Sequence, residues 1–181
     1  MTDLPAIILA GGLASRMGGG DKPLLMVAGR PMLEWVISGI SAQTGPVALN
    51  ANGDPARFAR FGLPVLADGV PGFPGPLAGI LAGMDWAAAM GADAVLSVAG
   101  DTPFFPSDLV ARLQDNAGTS GLALAAGRDA AGQVTDHPAF GLWPTALRDD
   151  LRATLLAGQR RVRSFAQRYA PGLAVWDSVP M

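Results

Sequence analysis

The sequence LAGGLASRMGGGDK, from Leu9 to Lys22, joins the end of an apolar run to a glycine-rich loop that carries two cations. The apolar run, AIIL at 6–9, predicts a buried strand. Glycines allow the backbone to approach a ligand closely, so consecutive N–H groups can converge on the oxygens of a phosphate. Arg16 and Lys22 add positive charge to the same loop. The sequence therefore predicts a phosphate-binding cradle at the end of a first strand.

This loop differs from the two commonest phosphate-binding loops. A Walker A loop needs Gly-Lys followed by Ser or Thr, whereas Lys22 precedes Pro23, which has no N–H. The Rossmann spacing Gly-x-Gly-x-x-Gly is absent between Gly11 and Gly20. Because the chain holds 24 glycines in 181 residues, glycines alone would not indicate a site. Their combination with Arg16 and Lys22 directly after a strand is what favours phosphate binding.

Length and composition limit the classes of protein to be considered. At 181 residues, half of them hydrophobic, the chain is the size of one domain. The formal net charge of −2 gives no electrostatic reason to expect nucleic acid or an anionic membrane as a partner. The absence of cysteine excludes a disulfide framework, a cysteine-ligated zinc site and a thiol nucleophile. No apolar run approaches the roughly 18 residues of a membrane span, and the start lacks a signal-peptide pattern, so a cytoplasmic protein is expected.

Short apolar runs alternate with helical patterns, which is typical of an α/β fold with a mainly parallel sheet and helices on both faces. The predicted strands are 6–10, 47–49, 65–67, 94–99, 122–126, 139–142 and 173–176. The predicted helices are 31–40, 75–90, 107–114 and 146–157. Ligands of such sheets bind outside the carboxyl ends of the strands, where the strand order reverses. Polar residues that directly follow a strand therefore mark the candidate site.

Three polar residues stand at predicted strand ends. Asp101 follows the apolar run AVLSVA at 94–99. One carboxylate combined with substrate phosphates suits Mg²⁺, but an aspartate in Gly-Asp-x-Pro suits a turn equally well. From the residues alone, both interpretations of Asp101 are open. Asn50 and Asp68 end the second and third strands, and the residues alone favour ordinary turn positions for both.

The pattern LAGG-x3-RMGG-x-DK resembles the signature loop of the molybdenum cofactor guanylyltransferases, the MobA family of nucleotidyltransferases. GPLAG at 75–79, GDTP at 100–103 and GQRRV at 158–162 extend the resemblance over nearly the whole chain. It implies a Rossmann-like three-layer α/β/α nucleotidyltransferase fold in a single domain, residues 1–181. Family members usually continue into a segment containing Asn-x-Asn-Thr-Pro, whereas this sequence ends at SVPM, 178–181. The resemblance therefore implies a domain that lacks that segment.

The resemblance also implies roles for individual residues. Contacts to GTP are implied for the first loop and for residues that end three strands: Leu9, Ala10, Gly11, Gly12, Lys22, Asn50, Asp68 and Asp101. Asp101 is implied as the metal ligand, with Mg²⁺ as the metal, and the implied catalytic residues are Asp101, Lys22 and Arg16. A carboxylate at position 68 would suit guanine, whose Watson–Crick edge offers N1–H and N2–H₂ donors.

The function implied by the resemblance is transfer of GMP from GTP to the phosphate of molybdopterin or its molybdenum-loaded form, with release of pyrophosphate. The acceptor phosphate is already an anionic nucleophile, so positioning and charge neutralisation suffice. Mg²⁺ on Asp101 would bridge the donor phosphates, while the backbone of 9–12, Arg16 and Lys22 would hold the β- and γ-phosphates. The implied partners are GTP and molybdopterin, with molybdenum-insertion proteins and apo-molybdoenzymes as further candidates.

Two alternative functions stay open at this point. A cytidylyltransferase of the same fold would use CTP, and the second glycine of LAGG at 9–12 favours the guanylyl branch only through the resemblance. A nucleotide-binding assembly protein would bind without turnover.

Two further features lie toward the carboxyl end. His137 is interpreted as structural, because a lone histidine more often packs than reacts, although the family has a similar His-Pro dipeptide. Arg160 and Arg161 allow two interpretations. They either form a solvated face or, as the family's comparable stretch implies, receive the phosphate of the pterin substrate.

Overall fold

The computed structural model describes residues 4–11, 22–70, 72 and 75–177. The strands in this part of the chain are β1 (Ala6–Leu9), β2 (Met26–Val27), β3 (Arg30–Pro31), β4 (Val47–Asn50), β5 (Val65–Leu66), β6 (Ala94–Ala99), β7 (Ala123–Arg128), β8 (Val134–Pro144) and β9 (Gly172–Asp177). The α-helices are α1 (Met32–Ser41), α2 (Pro76–Ala89), α3 (Leu109–Asp115), α4 (Arg148–Leu156) and α5 (Val162–Ala166). Within the described ranges, every helix is too short or too polar to cross a lipid bilayer.

Seven of these strands form one sheet in the order β5-β4-β1-β6-β8-β7-β9. Neighbouring strands from β5 to β6 are parallel, and β7 is parallel to β9. β8 runs antiparallel to both of its neighbours. The mainly parallel sheet predicted from the alternating pattern is therefore confirmed. β2 and β3 pair antiparallel as a small hairpin apart from this sheet.

Helices cover both faces of the sheet, each over its own apolar layer. Ala6 and Ile8 of β1 pack in the layer that holds α1 and α3, whereas Ile7 packs in the opposite layer with α2, α4 and α5. A strand that is buried on both faces reads as a continuous apolar run, which explains AIIL at 6–9. The three-layer α/β/α arrangement that the resemblance implied is confirmed.

The direction in which strands are added to the sheet reverses at β1. α1 leads the chain from β1 toward β4 on one side, whereas α2 leads it from β5 to β6 on the other side of β1. Ala10 N donates to Asn50 O at 2.9 Å and Gly100 N donates to Leu9 O at 3.0 Å, so the three strands stay paired up to their carboxyl ends. Ligands of open α/β sheets bind at such a reversal.

The second half of the sheet differs in part from the prediction. β8 begins at Val134 rather than at 139, so it includes His137 and Pro138. Its first half carries no apolar run because that half is largely solvent-accessible. Its pairing with β7 shifts register between Leu124 and Ala125, and a bulge of this kind accommodates a proline that cannot donate to the ladder. The sequence analysis did not predict the β2–β3 hairpin or helix α5, because elements of two to five residues give no periodic signal.

Candidate functional site

The carboxyl ends of β1, β4 and β6 approach one another at backbone contact distance. A Cβ built at Gly11 would lie 3.2 Å from Ala51 Cα, and one built at Gly100 would lie 3.1 Å from Leu9 O. Glycine leaves the room that these crossings need. The structure therefore places Leu9, Ala10 and Gly11, three of the predicted GTP contacts, between the ends of β4 and β6.

Lys22 and Asp101 meet at this edge, although 79 positions separate them in the sequence. Lys22 Nζ donates to Asp101 Oδ2 at 3.5 Å, and their side chains are 65% and 39% exposed. An ion pair this exposed contributes little to folding stability, so both charges are available to a ligand. Arg16 and Gly12, which were predicted for the same site, lie outside the described residues.

The surroundings of Asp101 fit a metal that is held mainly by its substrate. Among the described residues, no group of three or more His, Cys, Asp or Glu side chains is placed to hold a metal. Asp101 offers one exposed carboxylate after β6. Mg²⁺ commonly takes one or two protein carboxylates and completes its shell with waters and substrate phosphates. The donor set at Asp101 therefore suits a metal that arrives with a polyphosphate.

Asp68, which follows β5, is held by two asparagines at the end of β4. Asn50 Nδ2 donates to Asp68 Oδ1 at 2.9 Å and Asn52 Nδ2 donates to Asp68 Oδ2 at 2.7 Å. Asp68 N donates to Asn52 Oδ1 at 2.9 Å. The structure thus brings the predicted residues Asn50 and Asp68 into contact and adds Asn52, which the sequence analysis missed. The sequence did contain a signal for Asn52: it lies two positions after Asn50, and residues two apart in an extended segment point to the same side.

His137 lies half-buried in β8 beside an ion pair that the sequence did not predict. Arg163 Nε donates to Asp136 Oδ2 at 2.8 Å, and Arg163 Nη2 donates to Asp136 Oδ1. These bonds hold the pKa of Asp136 below its usual range, against the opposing effect of burial, and raise the pKa of Arg163. The pair connects α5 to β8 next to His137, and the structural interpretation of His137 itself stays a prediction.

Arg160 and Arg161 are exposed in the turn between α4 and α5. This turn approaches the start of α2, because a Cβ built at Gly75 would lie 3.9 Å from Arg160 O. α2 follows β5, so its first turn lies at the carboxyl edge of the sheet. Exposure at this edge is compatible with both a solvated face and a phosphate contact, and both interpretations stay predictions.

A cavity of about 490 Å³ lies between β5 and α2 and has Leu66, Asp85 and Trp86 among its lining residues. Arg152 Nη2 donates to both carboxylate oxygens of Asp85, at 2.7 and 2.8 Å. Neither Lys22 nor Asp101 lines this cavity. Ala67 and Gly69, on either side of Asp68, also line it, so the cavity adjoins the β5 side of the candidate site rather than the Lys22–Asp101 pair.

Comparison with known proteins places this architecture in a family. A family model described as the MobA-like NTP transferase domain matches residues 6–172. The chain belongs to the MobA-like NTP transferase family. It is 53% identical to a molybdenum cofactor guanylyltransferase of Rhodopseudomonas palustris (strain BisB5), over 97% of this chain and 84% of that protein. A protein of the same name from Bradyrhizobium sp. (strain ORS 278) is also 53% identical, over 99% of this chain and 84% of its own length.

Solved structures with the same fold are much more distant in sequence. Molybdopterin-guanine dinucleotide biosynthesis protein A from Archaeoglobus fulgidus aligns with a TM-score of 0.68 at 20% identity, covering 96% of this chain and 83% of that one. A 4-diphosphocytidyl-2C-methyl-D-erythritol synthase from Anaerococcus prevotii aligns with a TM-score of 0.67 at 15% identity, covering 97% and 87%. At these identities the likeness concerns the fold alone. Membership in the NTP transferase family confirms the predicted enzyme class, a nucleotidyltransferase.

Proposed function

We propose that this member of the family, as a single domain of residues 1–181, transfers GMP from GTP to the phosphate of molybdopterin, forming molybdopterin guanine dinucleotide and pyrophosphate. The observation that carries the proposal is the meeting of Lys22 and Asp101 beside the end of β1, next to the strand ends that hold Asp68. The guanylyltransferase names of relatives matched over nearly the whole chain support the same donor and acceptor.

The transfer needs one bond to form and one to break. An oxygen of the acceptor phosphate attacks the α-phosphorus of GTP, and the bond from that phosphorus to the α,β-bridging oxygen breaks, so pyrophosphate leaves with the electron pair. No proton has to be removed from an anionic acceptor, which makes a general base unnecessary. The protein's contribution is to hold both phosphates in line and to offset their charge.

Lys22 and the backbone of 9–12 are the proposed ligands of the β- and γ-phosphates. The Lys22 side chain is 65% exposed, so its ammonium group can turn from Asp101 toward an incoming anion. In that position Lys22 stabilises the negative charge that accumulates on the leaving pyrophosphate. Asp101 is the proposed ligand of Mg²⁺, which when bound supplies positive charge at the donor phosphates.

Asp68 is the proposed reader of the base. Its carboxylate accepts hydrogen bonds, and guanine presents two neighbouring donors, N1–H and N2–H₂. Adenine presents an acceptor at N1 and has no 2-amino group, so the same carboxylate would face a lone pair. Asp68 therefore favours GTP over ATP through two attractive contacts to guanine and one repulsive contact to adenine.

The first test is calorimetric titration of the protein with GTP, CTP and ATP in the presence of Mg²⁺. The proposal expects selective, Mg²⁺-dependent binding of GTP that Asp101→Ala weakens. Asp115→Ala, at the exposed end of α3, is the matched control and should bind GTP as the wild type does. A preference for CTP would move the protein to the cytidylyl activity. Binding of GTP without pyrophosphate release on addition of molybdopterin would contradict the transfer itself.

A further inference from the structure

Asn52 and Asp68 form a closed pair that fixes the orientation of both side chains. Asn52 Nδ2 donates to Asp68 Oδ2 at 2.7 Å, and Asn52 Oδ1 accepts from Asp68 N at 2.9 Å. The two partners are a carboxylate and an N–H group, so only one orientation of the Asn52 amide satisfies both. The carboxylate of Asp68 is therefore anchored to its own backbone through Asn52.

Asn50 binds the other oxygen of the same carboxylate, and its own side chain has no amide hydrogen left to donate to a ligand. Its Nδ2 donates to Asp68 Oδ1 at 2.9 Å and to Leu66 O at 3.1 Å, which uses both amide hydrogens. The residue is 4% exposed, and its Oδ1 lies so close to α2 that a Cβ at Gly79 would overlap it. In this arrangement Asn50 acts on a ligand through Asp68.

Asp68 keeps hydrogen-bonding capacity on both oxygens. A carboxylate offers about four lone-pair positions, and the two asparagines occupy one on each oxygen. Both asparagine donors are neutral amides, so they orient the carboxylate without cancelling its charge. Asp68 is half-buried, at the edge where the strand ends meet. The free positions form a fixed pair of acceptors, which matches two adjacent donors on a planar base.

We propose that Asn52 is a positioning residue for nucleobase selectivity: it fixes Asp68 so that the carboxylate reads the N1–H and 2-amino group of guanine. The inference rests on the proposed function, because it takes GTP as the donor. Without the Asn52 amide, the Asp68 carboxylate loses one of its two side-chain restraints and can rotate away from the plane of the base. The affinity for guanine decreases most, because guanine is the base that donates hydrogen bonds to both acceptor positions of Asp68.

The experiment compares Mg²⁺-GTP with Mg²⁺-ITP, whose hypoxanthine base lacks only the 2-amino group. Calorimetric titration of the wild type should give an affinity for GTP about 10-fold to 100-fold above that for ITP, the value of one hydrogen bond to a charged group. Asn52→Ala should lower GTP affinity far more than ITP affinity, so the ratio falls several-fold. Asn52→Asp should lower the ratio further, because it sets a second carboxylate against Asp68.

The matched control is Asn116→Ala, an exposed asparagine whose Nδ2 donates to Arg112 O at the end of α3. It should leave the GTP-to-ITP ratio at the wild-type value. Asn52→Ala with an unchanged ratio, whatever its melting temperature, would overturn the inference and leave the proposed function standing. Wild-type protein that prefers CTP or binds no GTP would overturn the proposed function, and this inference with it.

Discussion

At the scale of single residues, the candidate site depends on charges that are paired only loosely. Lys22 and Asp101 lie 3.5 Å apart and are both partly exposed. A surface pair of this kind contributes about 0–1 kcal/mol, so a polyphosphate with its cation can displace it at little cost. Each partner keeps the other near the site before the ligand arrives. The same weakness makes either residue replaceable without unfolding the protein.

Lys22→Ala should lower kcat/KM for GMP transfer by about 100-fold or more, because one stabilising charge at the leaving group is lost. The melting temperature should stay near that of the wild type, since the pair contributes little to folding. Steady-state pyrophosphate release measures the first quantity and circular dichroism the second. Arg128→Ala, which removes an exposed cation paired with Asp177, is the control and should retain wild-type activity. Unchanged activity of Lys22→Ala would refute the assigned role.

At the scale of elements, the close packing of α2 on β1 and β4 supports the site. Gly79 lies against the Asn50 side chain, and Gly83 lies against Ile7. α2 can approach the sheet this closely because neither glycine carries a side chain. The contact with Asn50 connects the packing of the helix to the orientation of Asp68.

Gly83→Ala should destabilise the fold by about 1–3 kcal/mol, because the added Cβ would lie 2.6 Å from Ile7 Cγ2 in a packed layer. The higher helix propensity of alanine offsets only about 1 kcal/mol of this cost. Urea unfolding followed by circular dichroism gives the difference. Gly69→Ala is the control, because its added Cβ would meet its nearest neighbour at 3.9 Å. Equal stability of the two variants would contradict the packing argument.

The ion pair of Asp136 and Arg163 attaches α5 to β8, and its contribution should depend on pH. Arg163 holds the folded-state pKa of Asp136 below its ordinary value of about 4. A lowered carboxyl pKa contributes stability above the unfolded-state value, and this contribution is lost as pH falls through the folded-state value. The pair therefore supports the fold at neutral pH and fails in acid.

Asp136→Asn should lower the melting temperature at pH 7, and the difference from the wild type should shrink as the pH falls below about 4. Differential scanning calorimetry across a series of pH values measures this difference. Asp115→Asn, at the exposed end of α3, serves as the comparison and should show a small difference at every pH. A constant difference between Asp136→Asn and wild type down to pH 2 would show that the charge of Asp136 is not what matters.

At the scale of the whole molecule, the site exists only where separate parts of the chain meet. Its residues come from the ends of β1, β4, β5 and β6, which span positions 9 to 101. The sheet brings these ends to one edge and the reversal at β1 opens a place for a ligand between them. A nucleotide bound there would touch several strands at once and should stabilise the whole fold.

Mg²⁺-GTP at about 100 times its dissociation constant should stabilise the protein by about 2.7 kcal/mol. For a chain of this size, that corresponds to a rise in melting temperature of roughly 5–10 °C. Thermal unfolding with GTP, CTP and ATP, each with Mg²⁺ and with EDTA, tests this. The rise should be largest for GTP and should shrink when EDTA removes the metal. Equal shifts for the three nucleotides would contradict base selectivity.

The sequence by itself determined the α/β class and the mainly parallel sheet, because apolar runs and helical spacing are local patterns. The phosphate-binding role of the first loop stays a prediction. The residues alone favoured ordinary turns at Asn50 and Asp68 and left Asp101 open, so the roles of these three residues came from the family resemblance. The sequence did not predict the β2–β3 hairpin, α5 or the part of β8 before residue 139, because short or exposed elements carry no periodic signal.

Only the tertiary structure decided which of those residues touch. The pairing of Lys22 with Asp101, the closed bonds between Asn52 and Asp68, and the tie of Asp136 to Arg163 all join positions at least 16 apart. A hydrogen bond depends on distances of about 3 Å, and strand order and register set those distances across the sheet. Local sequence patterns determine which elements form, whereas the packing of those elements determines which polar groups can meet.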